Sequence, residues 1–153
     1  MVAAKLLRKV TLFKDLSDAE LKKVAAIVKT ASFSKGVMIY EEGSPVQGLH
    51  IIDKGRVRVT RRTKDGGRQI LAILKANTFF GELSLLDGRS HSASIETLEN
   101  TKVFIIQKED MDKFLKQNPA IAYKIVRDIT ISICDILRSM NDKFMNMVDY
   151  LWK

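Results

Sequence analysis

Apolar residues recur at two different periods along this chain, and the change of period divides it into three zones. Up to about residue 30 the spacing is helical. Leu6, Leu7 and Val10 form a small apolar patch, and Leu21, Val24, Ala25 and Val28 follow at helical steps. Ser17 followed by Glu20 predicts a capping box, with Leu16 placed to pack on Leu21 as a hydrophobic staple.

From about residue 31 to 107 the pattern shortens to strands punctuated by Gly36, Gly43, Gly48, Gly55, Gly66-Gly67 and Gly81. Residues 37–40, 49–52, 57–59, 69–74 and 103–106 are the predicted strands. In Arg56-Val57-Arg58-Val59-Thr60 the alternation puts valines inside and arginines outside. Asp65-Gly66 predicts a hairpin with a type I′ turn. Many short strands of this kind imply a sandwich, jelly roll or small barrel.

Beyond residue 107 the helical period returns. Lys108 to Gln117 predicts a short helix with Met111, Phe114 and Leu115 on its apolar side. Asn118-Pro119 then restarts the chain, with Asn as N-cap and Pro at the first helical position. A helix from there reaches about Tyr150. Its stripe Ile129, Ile133, Ile136, Met140, Phe144, Met147 and Leu151 reads as a coiled-coil-like seam with a stutter near Met140.

The bulk numbers leave an ordinary domain: 153 residues, 46% hydrophobic and 29% charged. The expectation is a single unit spanning 1–153. No apolar run is long enough to span a bilayer, and the basic N-terminus lacks a signal-peptide apolar region. The lone Cys134 rules out an internal disulfide, and a reducing, cytoplasmic location is expected. A net charge of +8 is compatible with an anionic partner (nucleic acid, nucleotide or anionic membrane), but it reads first as a generally basic surface. The basic face made by Lys54, Arg56, Arg58, Arg61, Arg62, Lys64 and Arg68 lacks interleaved aromatics, so it reads as a solvated strand face. Cys134, His50 and His91 have no metal-ligand spacing, and no nucleophile–base set or Walker loop is present. A non-enzyme without cofactor or metal is expected.

One segment carries chemistry. Phe80-Gly81-Glu82-Leu83-Ser84-Leu85-Leu86-Asp87-Gly88-Arg89-Ser90-His91-Ser92-Ala93 reads as a turn presenting backbone N–H groups, a carboxylate and small hydroxyl residues to a compact anion. Gly81 and Ala93 leave room for close approach. Glu82 suits a sugar diol, and Ser92 with its neighbouring amides suits a phosphate.

This segment, together with Leu12-Phe13, Leu16-Ser17-Asp18-Ala19-Glu20-Leu21, Gly36-Val37-Met38-Ile39-Tyr40-Glu41-Glu42-Gly43 and Ile51-Ile52-Asp53-Lys54-Gly55-Arg56-Val57-Arg58-Val59, resembles the cyclic-nucleotide-binding domain family. That is the sensor fold of catabolite-activator-type transcription factors, kinase regulatory subunits and gated channels. The resemblance implies a mainly β fold, an eight-stranded jelly roll, with an N-terminal helical segment (1–30) and two C-terminal helices (108–153), the last one long. It implies that Gly81 to Ala93 is a phosphate-binding cassette. Glu82 would bind the ribose 2′-OH, and backbone N–H groups near Leu83, Ser92 and Ala93 would meet the cyclic phosphate. Val59, Leu71 and Ala72 would wall the ligand, and the long helix, around Ile133, Ile136 and Leu137, would close over the base.

The chain departs from the family where charge matters most. His91 stands where the family carries the arginine that pairs with the phosphate. His91 is then either a weak phosphate ligand or a surface residue of a loop that has lost its ligand, and Arg89 is expected in solvent. In the turn Lys75-Ala76-Asn77-Thr78, Asn77 replaces a usual glycine and is expected at a left-handed position. The function expected from the resemblance is a cAMP- or cGMP-binding regulatory domain, weakened by His91 and signalling through its terminal helices. It would form a homodimer through the helix after Pro119 and pass its output to a protein partner. The chain has no room for a helix-turn-helix, so direct DNA binding is not expected. The alternatives are a degenerate domain serving as a protein–protein interaction or dimerisation module, and the sensor half of a longer transcription regulator.

Overall fold

The computed structural model describes residues 2–152. The chain begins with α1 (Val2–Leu7), a short 3-10 turn (Thr11–Phe13) and α2 (Asp18–Ala25). The strands are β1 (Lys29–Phe33), β2 (Met38–Tyr40), β3 (Gly48–Lys54), β4 (Arg56–Arg62), β5 (Arg68–Lys75), β6 (Phe79–Phe80), β7 (Ser94–Thr97) and β8 (Thr101–Gln107). Helix α3 (Glu82–Asp87) interrupts them, and α4 (Lys108–Gln117) and α5 (Pro119–Leu151) close the chain.

The eight strands form two four-stranded antiparallel sheets, ordered β1-β8-β3-β6 and β2-β7-β4-β5. This is a jelly roll with flanking helices. Its middle layer explains why β3 is buried along most of its length. Leu49 and Ile51 point to a core shared with Leu12, Phe13, Leu21, Met111, Ile125 and other helical residues. Ile52 points the other way, into a core between the sheets with Val57, Phe80, Ile95 and Val103. Strand β8 does the same, with Phe104 and Ile106 on the helical side and Val103 between the sheets. A strand covered on both faces needs no polar alternation.

The capping box forms as the sequence predicts. The Ser17 hydroxyl accepts from Glu20 N–H and the Glu20 carboxylate accepts from Ser17 N–H at 2.7 Å. Leu16 and Leu21 are both buried beside it. Asn77 takes φ +68°, the expected left-handed position.

Four local expectations are corrected. Helix α2 stops at Ala25 and Val28 lies beyond it, so the β zone starts at Lys29. The β4–β5 hairpin is not type I′, because Gly66 has φ +86° while Asp65 does not have positive φ. Gly66 N–H donates to Thr63 O, and Thr63 N–H to Gly67 O. Lys64-Asp65-Gly66 is therefore a three-residue loop closed by a left-handed glycine. Asn118 does not cap α5 with its side chain. Its amide donates back to Phe114 O at 3.0 Å, closing α4 instead. Lastly, the stretch after Gly81 is a helix, α3, rather than a turn alone.

Helix α5 changes character along its length. Ile121, Ile125 and Ile129 are buried and Ile133 packs against the same core. Ile136, Met140, Phe144, Met147 and Leu151 are all more than half exposed. No helix among the described residues is long and apolar enough to cross a membrane.

Candidate functional site

Glycine is required at position 81 for two reasons. Its φ of +87° starts α3 from the left-handed region, and a Cβ there would lie 2.4 Å from the Gly48 carbonyl oxygen. The close approach that Gly81 permits within the fold is to β3. It anchors the start of α3 against the roll, where β6 pairs with β3 through Phe80 and His50. The N–H groups of the first turn of α3 have no intrahelical acceptor, and Glu82 and Leu83 stand there. The helix ends at Gly88, again left-handed at φ +70°.

The chain then returns through Arg89 and Ser90, both exposed, to His91. Arg89 lies in solvent beside Asp87, as expected. His91 does not. Its backbone is locked to the loop after β2, donating to Ser44 O at 2.9 Å and accepting from Gly43 N–H at 2.7 Å. Its side chain is 3% exposed and lies against the ring of Tyr40. The reading of His91 as an exposed loop residue is overturned.

All nine residues singled out from the sequence line one cavity of about 280 Å³. Val59 reaches it from β4, Leu71 and Ala72 from β5, Gly81, Glu82 and Leu83 from the start of α3, and His91, Ser92 and Ala93 from the approach to β7. Adjacent residues on a strand normally face opposite ways, yet Leu71 and Ala72 both reach in. The register explains it. Val59 pairs with Ala72 and Thr60 with Ile70, so Leu71 is the extra residue of a β-bulge that re-aims the strand. Of the three α5 residues named for the lid, Ile136 alone lines the cavity, while Ile133 packs into the helical core.

The sequence reading missed the aromatic floor. Tyr40, Phe79, Phe80 and Ile95 also line the cavity. Behind Tyr40 and Phe80 lies His50, stacked on Phe80 with centroids 4.9 Å apart. A histidine alternating with Leu49 and Ile51 on a buried strand was the available signal, since its side chain must point into the roll.

The electrostatics run towards neutrality. Burial pushes the Glu82 carboxyl above its ordinary range, opposed by its own backbone N–H. Burial pushes the His91 imidazole below its ordinary value. Burial lowers His50 to about 4, against the Gly48 carbonyl, which favours its charged form. The Tyr40 phenol is pushed up by burial and then by the Glu82 charge. The arginines of the basic β-face are engaged outside the cavity. Arg58 pairs with Glu96 at 2.8 Å, Arg61 with Glu42 at 3.3 Å, and Arg62 with Glu41 at 3.1 Å.

Comparison with known proteins agrees with this fold. The model of the family described as cyclic nucleotide-binding domain matches residues 30–118, and the chain belongs to that family. The Cyclic AMP receptor protein of Thermus thermophilus is 29% identical over 114 residues, covering 74% of this chain and 53% of that protein. The CRP-like cAMP-activated global transcriptional regulator of Mycobacterium tuberculosis is 24% identical over 122 residues, covering 80% of this chain and 54% of that protein. The chain thus spans about half the length of these curated relatives. A cyclic nucleotide-binding domain from Methylobacillus flagellatus has a TM-score of 0.82 at 22% identity, covering 94% of this chain and 80% of that one, and shares the fold.

Proposed function

We propose that this chain is a ligand-sensing regulatory domain that takes cAMP or cGMP in the cavity under α5 and signals through its C-terminal helices. One observation carries the reading: the cassette residues Gly81–Leu83 and His91–Ala93 converge on one cavity with Val59 and the β5 bulge, and Ile136 of α5 lies across it. Glu82 takes the ribose 2′-OH. The N–H groups of Leu83, Ser92 and Ala93 meet the phosphate, beside His91. The base lies against Val59, Leu71 and Ala72 beneath Ile136, whose apolar side chain offers no hydrogen bond to tell adenine from guanine.

The mechanism is a population shift. A ligand that touches both the cassette and Ile136 favours the arrangement with α5 docked, by as much as its affinities for the two arrangements differ. The output passes from α5 to a second copy of the chain or to a protein partner, in a cytoplasmic setting and without catalysis.

Calorimetric titration of the pure protein with cAMP and cGMP tests the reading. Binding heat with a rise in melting temperature is the expected result. Neither signal at millimolar ligand would sink it. A second reading, an interaction module without nucleotide, draws on the exposed apolar half of α5, which offers a docking surface whether or not the cavity is filled. It predicts self-association with no ligand effect.

A further inference from the structure

The cavity holds a carboxylate and no permanent cation. Among its lining residues Glu82 is the one acidic side chain and His91 the one basic side chain; Lys and Arg contribute none. His91 Nε2 is buried without a hydrogen-bond partner, a setting that disfavours the imidazolium, and its ring is held in place by the stack on Tyr40. Arg89, the nearest arginine along the cassette, points into solvent and faces Asp87.

A 3′,5′-cyclic phosphate carries a full negative charge at neutral pH. Entering this cavity, that charge leaves water, meets neutral donors only, and shares the space with Glu82. Burying a charge without a counter-charge is costly. The corresponding nucleoside has no such charge. It offers the same ribose 2′-hydroxyl to Glu82 and the same base to Val59, Leu71 and Ile136, and its free 3′- and 5′-hydroxyls can use the amides that a phosphate oxygen would use.

We propose that the site recognises the uncharged nucleoside portion of its ligand, and that it binds a free purine nucleoside at least as tightly as the matching cyclic nucleotide. This rests on the proposed function for the location and orientation of the ligand, and names the ligand class of that same cavity. The missing charge-assisted hydrogen bonds correspond to a roughly ten- to hundredfold lower affinity for the phosphate form than an arginine-bearing cavity would have.

The test titrates the full chain with adenosine, guanosine, cAMP and cGMP at about pH 7.5, where an imidazole is neutral. Nucleosides that match or exceed their cyclic nucleotides in affinity are the expected result. A cyclic nucleotide that binds more tightly than its nucleoside overturns the inference and leaves the proposed function standing. Nucleosides that bind while cyclic nucleotides do not sustain the inference and overturn the cAMP/cGMP reading. No binding by any of the four overturns both. In H91R the preference shifts towards the cyclic nucleotide by at least about tenfold. An unchanged ratio in a folded H91R protein also overturns the inference. If that variant fails to fold, the wild-type ratio decides alone.

Discussion

The imidazole of His91 lies flat on the ring of Tyr40, with centroids 3.6 Å apart and planes 9° from parallel. The stack is imposed by the backbone, because the hydrogen bonds of His91 to Ser44 and Gly43 fix the cassette end against the loop after β2. It makes His91 part of the aromatic wall of the cavity, together with Tyr40 and Phe80. The same stack ties the cassette to Tyr40, and through Tyr40 to Phe80, centroids 5.9 Å apart, and to His50, 5.8 Å apart.

Replacing His91 by arginine is expected to have two opposed effects. Affinity for cAMP or cGMP rises by at least about tenfold, because a guanidinium supplies charge-assisted hydrogen bonds worth about 1.5–3 kcal/mol each. Stability of the unliganded protein falls, because the Tyr40 stack is lost and a larger, permanently charged side chain must be fitted where a buried imidazole stood. Titration calorimetry and a melting curve separate the two. A variant with unchanged affinity would remove His91 from the phosphate position.

The two histidines set an acid limit on stability. Both have folded-state values pushed down by burial, His50 to about 4. Below about pH 6.5 the unfolded chain takes up protons that the folded chain refuses, so stability falls with pH from there towards about 4. The groups around them include Tyr40, raised by burial and the Glu82 charge, and Glu82, itself raised by burial. Glu82 works in the opposite sense, since its folded form holds a proton more readily than the unfolded chain. Denaturant titrations across this window are expected to show a slope that shrinks in His50→Gln. That variant keeps a donor for Gly48 O, which lies 3.2 Å from His50 Nδ1. An unchanged slope would assign the acid limit elsewhere.

Much of the fold was legible because long periodic segments carried it. α4 falls on the bounds predicted, and the strong strands β3, β4, β5 and β8 follow from their apolar runs. The strands that escaped are short or polar. β1 is Lys29-Thr30-Ala31-Ser32-Phe33, β6 is two residues, and β7 has Ile95 as its one large apolar side chain. They exist because neighbouring strands pair with them, and tertiary pairing overrides weak local preference. For the site, the cassette residues were legible as a group. The burial of His91 was not, because it depends on backbone bonds to Ser44 and Gly43, nearly fifty residues away in sequence.

Gly81→Ala is expected to damage stability and ligand binding together. The left-handed backbone alone costs a non-glycine residue about 1–2 kcal/mol. The new Cβ also meets the Gly48 carbonyl, a backbone atom that cannot swing aside. The start of α3 must then shift, and Glu82 with it. Denaturant unfolding measures the first effect, expected to exceed about 2 kcal/mol in total, and titration the second. Full stability in the alanine variant would contradict the close approach of Gly81 to β3.

Asp128 on α5 is a buried carboxylate in the helical core, 4% exposed, with no hydrogen-bond partner on either oxygen. Burial, followed by the Asp15 charge, pushes its carboxyl up, against the opposing pull of Lys14 and Arg127. Those two cations stand 4.0 and 3.9 Å away. A raised carboxyl favours folding below its unfolded value, and that contribution is lost as pH rises through the folded value. Asp128→Asn is therefore expected to be the more stable protein at neutral pH, with the gap closing as pH falls towards the ordinary aspartate range. A variant less stable than wild type at neutral pH would mean that Lys14 and Arg127 outweigh the burial.

The exposed half of α5 is expected to pair with a second copy of itself. Met140, Phe144 and Met147 follow one another at seam spacing, and all are more than half exposed in the single chain. Wild-type protein should sediment as a dimer, and the double variant M140E/F144D as a monomer with unchanged helical circular dichroism. A wild-type chain that stays monomeric at every concentration rejects the seam. The same helix places Ile136 on the cavity lining just before the seam begins. If docking of α5 over the ligand and pairing of its exposed half stabilise one arrangement, the two events are thermodynamically linked. Ligand must then tighten the dimer by the factor by which dimerisation tightens the ligand, because binding couplings are reciprocal. Sedimentation with and without saturating ligand gives one side of that equality. Titration of wild type against M140E/F144D gives the other, and unequal factors would show that the cavity and the seam act independently.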